Sequence, residues 1–487
     1  LRRTPIIALV VSCVLLSSSA ARAQDEASLP GTPPPPAGDA SLAEGEPEAC
    51  LDDASVDGCV RVRVDAVQIE GMFRTHRSVV LRELLFSEGD VASMRQIEES
   101  MTRLRNLGLF REVTYALATQ LVAGPDGVIP AQDPDAPGRV LQITVDERWT
   151  LMPGFSFSQG GDLTSLRASV YDVNAFGRYL ELGFQYGRIG RSETFLDLDG
   201  AANSFVLWAR DPRFLDSFWR VGVDLWSYTR LRAYYAPDGS VEGGFLLQRL
   251  IAVLRAEQEL NRWLRVGGTL EIMSDTFTLD LLSDTVAQAQ QTNFGGPPPS
   301  NRAVIARAVA RLGRVNRDDF YYDGWDVSAF LGHSDPLFGA TLRFTQLEAI
   351  ARAYKRIPWN GNLAFRARVA TTNATAIQHI YYLGGLDRVR GYRDSSFRGQ
   401  QYWSVNAEYR VAPLANPWIV LQPIAFVDAG SAGDGGATFA RVDAASVGGG
   451  LRVILPRVYG FVARFDYAFP LVNVGGPGFS FGAQQFF

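Results

Sequence analysis

The 487-residue chain is 47% hydrophobic, 11% aromatic and 20% charged, too apolar for a wholly disordered protein and rich enough for a large core. Its 47 bases against 52 acids give a formal charge of −5, so no nucleic-acid partner is expected. Three His, three Cys and a single lysine, Lys355, leave little material for a metal cluster or a nucleophile and its base, and no enzyme is expected.

Arg2 and Arg3 precede an apolar run over 6–16, and Ala21-Arg22-Ala23 offers the small residues a signal peptidase reads, so 1–23 reads as a secretory signal peptide. Nine acids and no base follow in 24–59, together with Pro33-Pro34-Pro35-Pro36. That segment lacks apolar periodicity and reads as a disordered acidic, proline-rich arm. Cys50 and Cys59 are the thiols left after the leader, and export makes a local disulfide an option beside two free thiols.

Residues 60–148 carry a mixed pattern. A strand is expected over 62–69, a short helix over 78–86 and a second helix over 93–107. Ser93 and Gln96 have the spacing of a capping box, Ile97, Met101 and Leu104 share a face, and Gly108 ends the helix. Strands at 112–117 and 140–145 flank a loop rich in Pro and Asp. The order is β-α-α-β-β.

Beyond Trp149 no segment shows a sustained helical period, whereas apolar and polar residues alternate to the last residue. Trp403, Val405, Ala407, Tyr409 and Val411 oppose Ser404, Asn406, Glu408 and Arg410, and Phe465, Tyr467 and Phe469 oppose Arg464 and Asp466. About sixteen such segments run from 151–160 to 477–487, an even number. Tight connections at 175–177, 260–261 and 360–361 alternate with long ones at 274–301 and 372–401, the asymmetry of short periplasmic turns and long external loops. No segment is long and apolar enough for a spanning helix, so residues 149–487 read as a sixteen-stranded antiparallel outer-membrane β-barrel behind an α+β periplasmic module.

Several motifs resemble those of the BamA/TamA-like outer-membrane assembly and translocation superfamily, whose members join POTRA domains to a sixteen-stranded barrel. Val389-Arg390-Gly391-Tyr392 resembles the family's V-R-G-F/Y motif, and Phe426-Val427-Asp428-Ala429-Gly430 resembles its F-x-D-x-G partner. Residues 171–177 are similar to its early strand-turn segment. The end of the chain, with Phe479, Phe481 and Phe487, resembles its terminal insertion signal. The module at 60–148 looks like a single POTRA domain. Independently of the family, Asp428 alternates with Val427 so as to face the lumen beside Phe426 and Gln422, where Arg390 from a folded-in loop can pair with it through two hydrogen bonds.

What the resemblance implies is an outer-membrane factor that inserts or translocates unfolded client polypeptides in contact with outer-membrane lipids, with periplasmic or outer-membrane accessory proteins left open. Its seam would lie between the first and last strands, where Gly154, Ser156, Gly160, Gly478, Gly482 and Ala483 fall and the glycines thin the packing. A passive porin-like channel is the alternative. Gly478 to Gly482 fits G-x-S-x-G but lacks a following helix, acid and histidine. His76, His333 and His379 have no metal spacing. Gly448-Gly449-Gly450 lacks the helix of a phosphate loop and reads as room for a neighbouring side chain, so neither metal nor cofactor is expected.

Overall fold

The computed structural model describes residues 47–118, 139–160, 163–191, 201–235, 240–358, 360–385, 388–392, 396–472 and 478–483. The signal peptide, most of the acidic arm and Phe487 lie outside the described residues.

The N-terminal module consists of β1 (Arg61–Glu70), α1 (Arg77–Leu81), β2 (Val91–Ser93), α2 (Met94–Asn106), β3 (Phe110–Ala118) and β4 (Arg139–Glu147). Its sheet has the order β2-β1-β4-β3, with β1 parallel to β4. The expected capping box is present: Gln96 N–H donates to Ser93 Oγ and Ser93 N–H to Gln96 Oε1, an N-cap worth about 1 kcal/mol. The face of α2 carrying Ile97, Met101 and Leu104 packs on Val64, Phe110 and Ile143.

Three local features depart from the sequence reading. Strand β2 adds a short element between the helices; three residues paired to Arg61, Val62 and Arg63 are too few to show alternation. Helix α1 stops at Leu81 rather than near 86, because the Leu85 N–H is taken by the Ser100 hydroxyl of α2 at 3.0 Å. The arm does not extend as a disordered segment to Cys59. Residues 47–59 form a knot with a 3-10 turn at Glu48–Leu51 and a Cys50–Cys59 disulfide, and the buried Cys50 carbonyl accepts from Ser93 Oγ at 2.7 Å.

The barrel begins with β5 (Leu151–Gly160), β6 (Leu163–Ala175), β7 (Leu180–Arg191), β8 (Ala201–Asp211), β9 (Trp219–Tyr235), β10 (Val241–Glu259) and β11 (Leu264–Thr278). It continues through β12 (Asn301–Asp318), β13 (Tyr321–Ser334), β14 (Phe344–Ile357) and β15 (Gly361–Thr372). The long loop after β15 holds a ribbon of β16 (Tyr381–Leu383) and β17 (Phe397–Gly399). Then come β18 (Gln401–Val411), the two-residue β19 (Leu414–Ala415), β20 (Val420–Gly433), β21 (Ala444–Ile454), β22 (Val462–Pro470) and β23 (Gly478–Ala483). Sixteen of these span the wall, each antiparallel to its neighbour, and the barrel closes where β23 adjoins β5.

The side chains are distributed inside out. On β18, Ser404, Asn406, Glu408 and Arg410 are buried while Ala407 and Tyr409 are exposed; on β22, Arg464 and Asp466 are buried while Phe465, Tyr467 and Phe469 are exposed. A water-soluble sandwich does the reverse, so this wall faces hydrocarbon. One helix departs from the all-strand expectation. In the loop after β11, α3 (Asp284–Phe294) runs between Ser283 and a left-handed Gly295. Its Ala- and Gln-rich sequence has no strong apolar stripe, and it is tied down by polar contacts, Gly244 N–H donating to Gln290 Oε1 at 3.0 Å.

Candidate functional site

Among the connections that leave the end of the barrel opposite the module, the one between β15 and β18 folds back into the lumen and brings Val389, Arg390, Gly391 and Tyr392 onto the inner wall. Gly391 turns the chain with φ +87°, and a Cβ there would come within 3.2 Å of Ala468 Cβ and Pro470 Cγ. Val389 is fully buried among Leu383, Tyr402 and Ala432. Tyr392 donates its hydroxyl to Ala445 O at 2.8 Å and accepts from Ala445 N–H at 3.1 Å, so both ends of the motif are pinned. Gly430 has no room for a side chain, since a Cβ would meet Trp403 O at 2.7 Å and Leu383 Cδ1 at 3.0 Å.

Arg390 sits at the centre. Its Nε and Nη2 donate to the two oxygens of Asp428 at 2.7 and 2.9 Å, its backbone N–H to Asp428 Oδ2 at 3.2 Å, and its Nη1 to Glu408 Oε1 at 2.8 Å. Nη1 also lies 3.6 Å from Asp466 Oδ2. The guanidinium stacks 3.4 Å above the Phe426 ring, which lies where a Cβ on Gly448 would approach within 2.4 Å. Glu408 in turn accepts from Arg410 Nε at 2.9 Å and from Arg452 Nη2 at 2.7 and 2.8 Å, and Asn406 Nδ2 donates to Asp428 at 2.9 Å. Three cations (Arg390, Arg410, Arg452) thus face three anions (Glu408, Asp428, Asp466), with the side chains of the Arg390 and Glu408 pairs 0% exposed. The bidentate pair of Arg390 and Asp428, fully buried and braced by Glu408, immobilises the loop.

Sequence reasoning named Arg390 and Asp428 but not Glu408, Arg410, Arg452 or Asp466. Alternation had already put Glu408, Arg410 and Asp466 on the polar face. What it lacked was the register that sets Asn406 opposite Asp428 and Arg452 opposite Gln422.

The residues assigned to the seam fall on its two strands. Gly154 opposes Ser169, Gly160 opposes Leu163, and Ser156 lies between them on β5. On β23, Gly478, Gly482 and Ala483 oppose Ala468, Arg464 and Ala463. Phe479 is exposed on the outer wall, with its ring 6.3 Å from that of Phe465. Phe481 opposes Phe465 along the backbone, and its side chain, like those of Ser156 and Ala483, lies outside the described residues. The G-x-S-x-G run is strand, not a turn.

A second set of buried charges joins the module to the barrel's rim. Arg213, in the turn after β8, donates to both oxygens of Glu83 at 2.7 and 2.9 Å and to Glu259 at 2.9 Å. Burial works against its charge, yet the carboxylates of Glu83 and Glu259 outweigh it and hold the guanidinium above its ordinary range. Further round, Arg148 reaches Asp319 only at 3.5 Å. Here burial wins: it pushes the Asp319 carboxyl up to about 6 and the Arg148 guanidinium down to about 9, against their mutual attraction. Trp149 N–H donates to Arg457 O, Tyr459 N–H donates to Trp149 O, and Tyr459 packs into the module's core.

Polar residues buried inside, apolar ones outside and a small αβ module on the rim define a membrane β-barrel with an appended domain. Residues 312–487 match the Omp85 superfamily domain, and residues 62–148 match POTRA, the surface antigen variable number repeat. The outer membrane protein assembly factor BamA of Nitratidesulfovibrio vulgaris is 23% identical over 449 residues, 88% of this chain and 52% of the relative. The chain therefore spans about half the length of that curated relative. Among solved structures, CdiB from Escherichia coli superposes with a TM-score of 0.58 at 15% identity, covering 86% of this chain and 75% of that one. CdiB from Acinetobacter baumannii gives 0.52 at 13% identity, covering 86% and 72%. These structural likenesses concern the fold. Residues 312–487 are thus an Omp85 superfamily domain and residues 62–148 a POTRA domain, the make-up of an outer-membrane barrel with its POTRA domain in the periplasm.

Proposed function

We propose that the protein inserts or translocates unfolded client polypeptides at the outer membrane, without an enzymatic step, by opening the wall between β5 and β23. The POTRA domain receives the client in the periplasm, offering its sheet edge to an extended segment. The observation that carries this reading is the inward loop: Arg390, fully buried with Glu408 and Asp428, fastens it to the inner wall, inside the space a solute would use. A passive porin-like channel needs that space filled with water, and charges lining it would be exposed. With a loop fixed inside the barrel, the wall is the exit this reading assigns to the client. Its glycines at Gly154, Gly160, Gly478 and Gly482 supply no side chains to reinforce the pairing. An opened β5 edge would offer unpaired backbone groups to a client strand. The match to a relative named as an outer membrane protein assembly factor supports the same reading.

Cysteine pairs at Ser156 and Ala483, with neighbouring registers, test it. Oxidation is expected to lock the seam and abolish client assembly or export while the barrel keeps its folded mobility on unboiled gels. Full activity in every locked register would overturn lateral opening.

A further inference from the structure

The POTRA loop at 71–76 does not stop beneath the barrel; it straddles the end of β6. Leu151 and Pro153 of β5 oppose Asp172 and Val170 of β6, so Asp172 lies on the outer side of the wall with the exposed Leu151 and Val170. Arg74 pairs with Asp172 and donates to Thr150 Oγ1 at 3.1 Å. On the inner side, Val173 is buried in the POTRA core. The loop is held rigidly. The buried Glu147 carboxylate accepts from the backbone N–H groups of Phe73, Arg74 and Thr75 at 2.8, 3.0 and 2.9 Å, Asn174 Nδ2 donates to Thr75 Oγ1 at 2.8 Å, and His76 N–H donates to Gly177 O at 2.8 Å.

This scaffold presents an apolar side chain outward. Phe73 is 67% exposed beside Arg74, Phe176 is 72% exposed beside Gly177, and Trp149 is 55% exposed beside Thr150. Val170, part of the wall's lipid-facing surface, is two residues from Asp172, about 7 Å along the strand. Exposed aromatic rings at the rim, next in sequence to residues that bind the end of a lipid-facing wall, match the boundary between headgroups and acyl chains.

We infer that the 71–76 loop is a membrane anchor of the POTRA domain: Phe73, with Phe176 and Trp149, sits in the phospholipid interface of the periplasmic leaflet beside the first barrel strand. The anchor fixes the domain from the lipid side, next to the seam. It rests on the assignment of the outer wall to lipid and stands apart from whether clients leave through the seam.

The test places a nitroxide at position 73 through an encoded ketone side chain, which leaves the Cys50–Cys59 pair untouched, in the full chain reconstituted into phosphatidylethanolamine and phosphatidylglycerol vesicles. Positions 170, on the outer wall, and 91, exposed on the module's β2, serve as references. Unboiled gel mobility verifies that each labelled barrel is folded. Collisions with oxygen are expected to outweigh those with a water-soluble nickel chelate at 73, as at 170, and the reverse at 91. A probe at 73 that behaves like the one at 91 overturns the anchor. So does one that is shielded only when an unfolded outer-membrane polypeptide is added, which would make the loop a client contact.

Discussion

Two arginines each hold a separate piece of the molecule to the same barrel, and they do so differently. Arg390 fixes the inward loop from a site with 0% side-chain exposure, binds Asp428, shares Glu408 with Arg410 and Arg452, and has an aromatic ring beneath it. Arg213 fixes the POTRA domain at the rim, where Glu83 is nearly as buried but two of the other pairs are open: Asp216 with Arg82, and Glu48 with Arg262, each have a carboxylate side chain 70% exposed. Exposed pairs contribute about 0–1 kcal/mol each and weaken with salt. The contrast separates two kinds of attachment. The loop is built into the wall, whereas the POTRA domain is a folded unit docked on the rim by the Glu83 clamp, by the bonds of Thr75 and His76 to β6 and its turn, and by Tyr179 and Tyr459 in its core, with exposed pairs around them.

The largest effect that would break this contrast is expected at Arg390. Arg390→Ala leaves Asp428 and part of Glu408 as buried carboxylates short of a cation, at a cost of about 3–5 kcal/mol. The loop at 373–400 should become cleavable by protease added from outside, and client assembly should fall. Arg390→Lys should rescue little, because an ammonium cannot make the two parallel bonds to Asp428. Combining Arg390→Ala with Asp428→Ala should cost less than the sum of the two. Additive effects would mean that the two side chains do not act as a pair.

A smaller effect is expected at the rim. Arg213→Ala removes the bidentate partner of Glu83, which retains Arg103 at 3.2 Å, so the loss should be about 1.5–3 kcal/mol and confined to docking. Hydrogen exchange should rise in the turn at 212–218 and in α1, with unchanged gel mobility of the barrel. Unfolding of the barrel by this substitution would erase the distinction between the two attachments.

The sequence made the wall more legible than its attachments. Period-2 alternation is local, so strands such as β18 and β22 could be read directly, and the capping box of Ser93 and Gln96 needs only four residues. Arg390 and Asp428 were legible because two short motifs fell at matching strands. Glu408, Arg452 and Asp466 join them through cross-strand register, which no single segment encodes. The contacts of Glu83 with Arg213 and of Arg74 with Asp172 are separated by about a hundred residues and depend on how the POTRA domain docks. Helix α3 and the fold of 47–59 leave no apolar period for another reason: polar contacts of Gln290 hold the one, and the disulfide that Cys50 and Cys59 offered as an option holds the other.

The smallest effect sharpens the contrast by titrating the weakest joint. Burial raises the Asp319 carboxyl to about 6, above its unperturbed value near 4, because Arg148 at 3.5 Å is too distant to offset desolvation. An acid whose value is raised in the docked state binds its proton more tightly there than in the released state. The contribution to docking is therefore complete below about pH 4 and is lost as pH rises through 6. Hydrogen exchange at residues 147–150, corrected for the intrinsic rate, should show firmer docking at pH 5 than at pH 7.5. Asp319→Asn, which is neutral throughout, should hold the low-pH level and flatten the profile, while the loop around Arg390 shows no change over the same range. If the profile stayed steep in Asp319→Asn, the titrating group would lie elsewhere on the rim. A loop at 373–400 that loosened in parallel would show that the two attachments are coupled rather than separate.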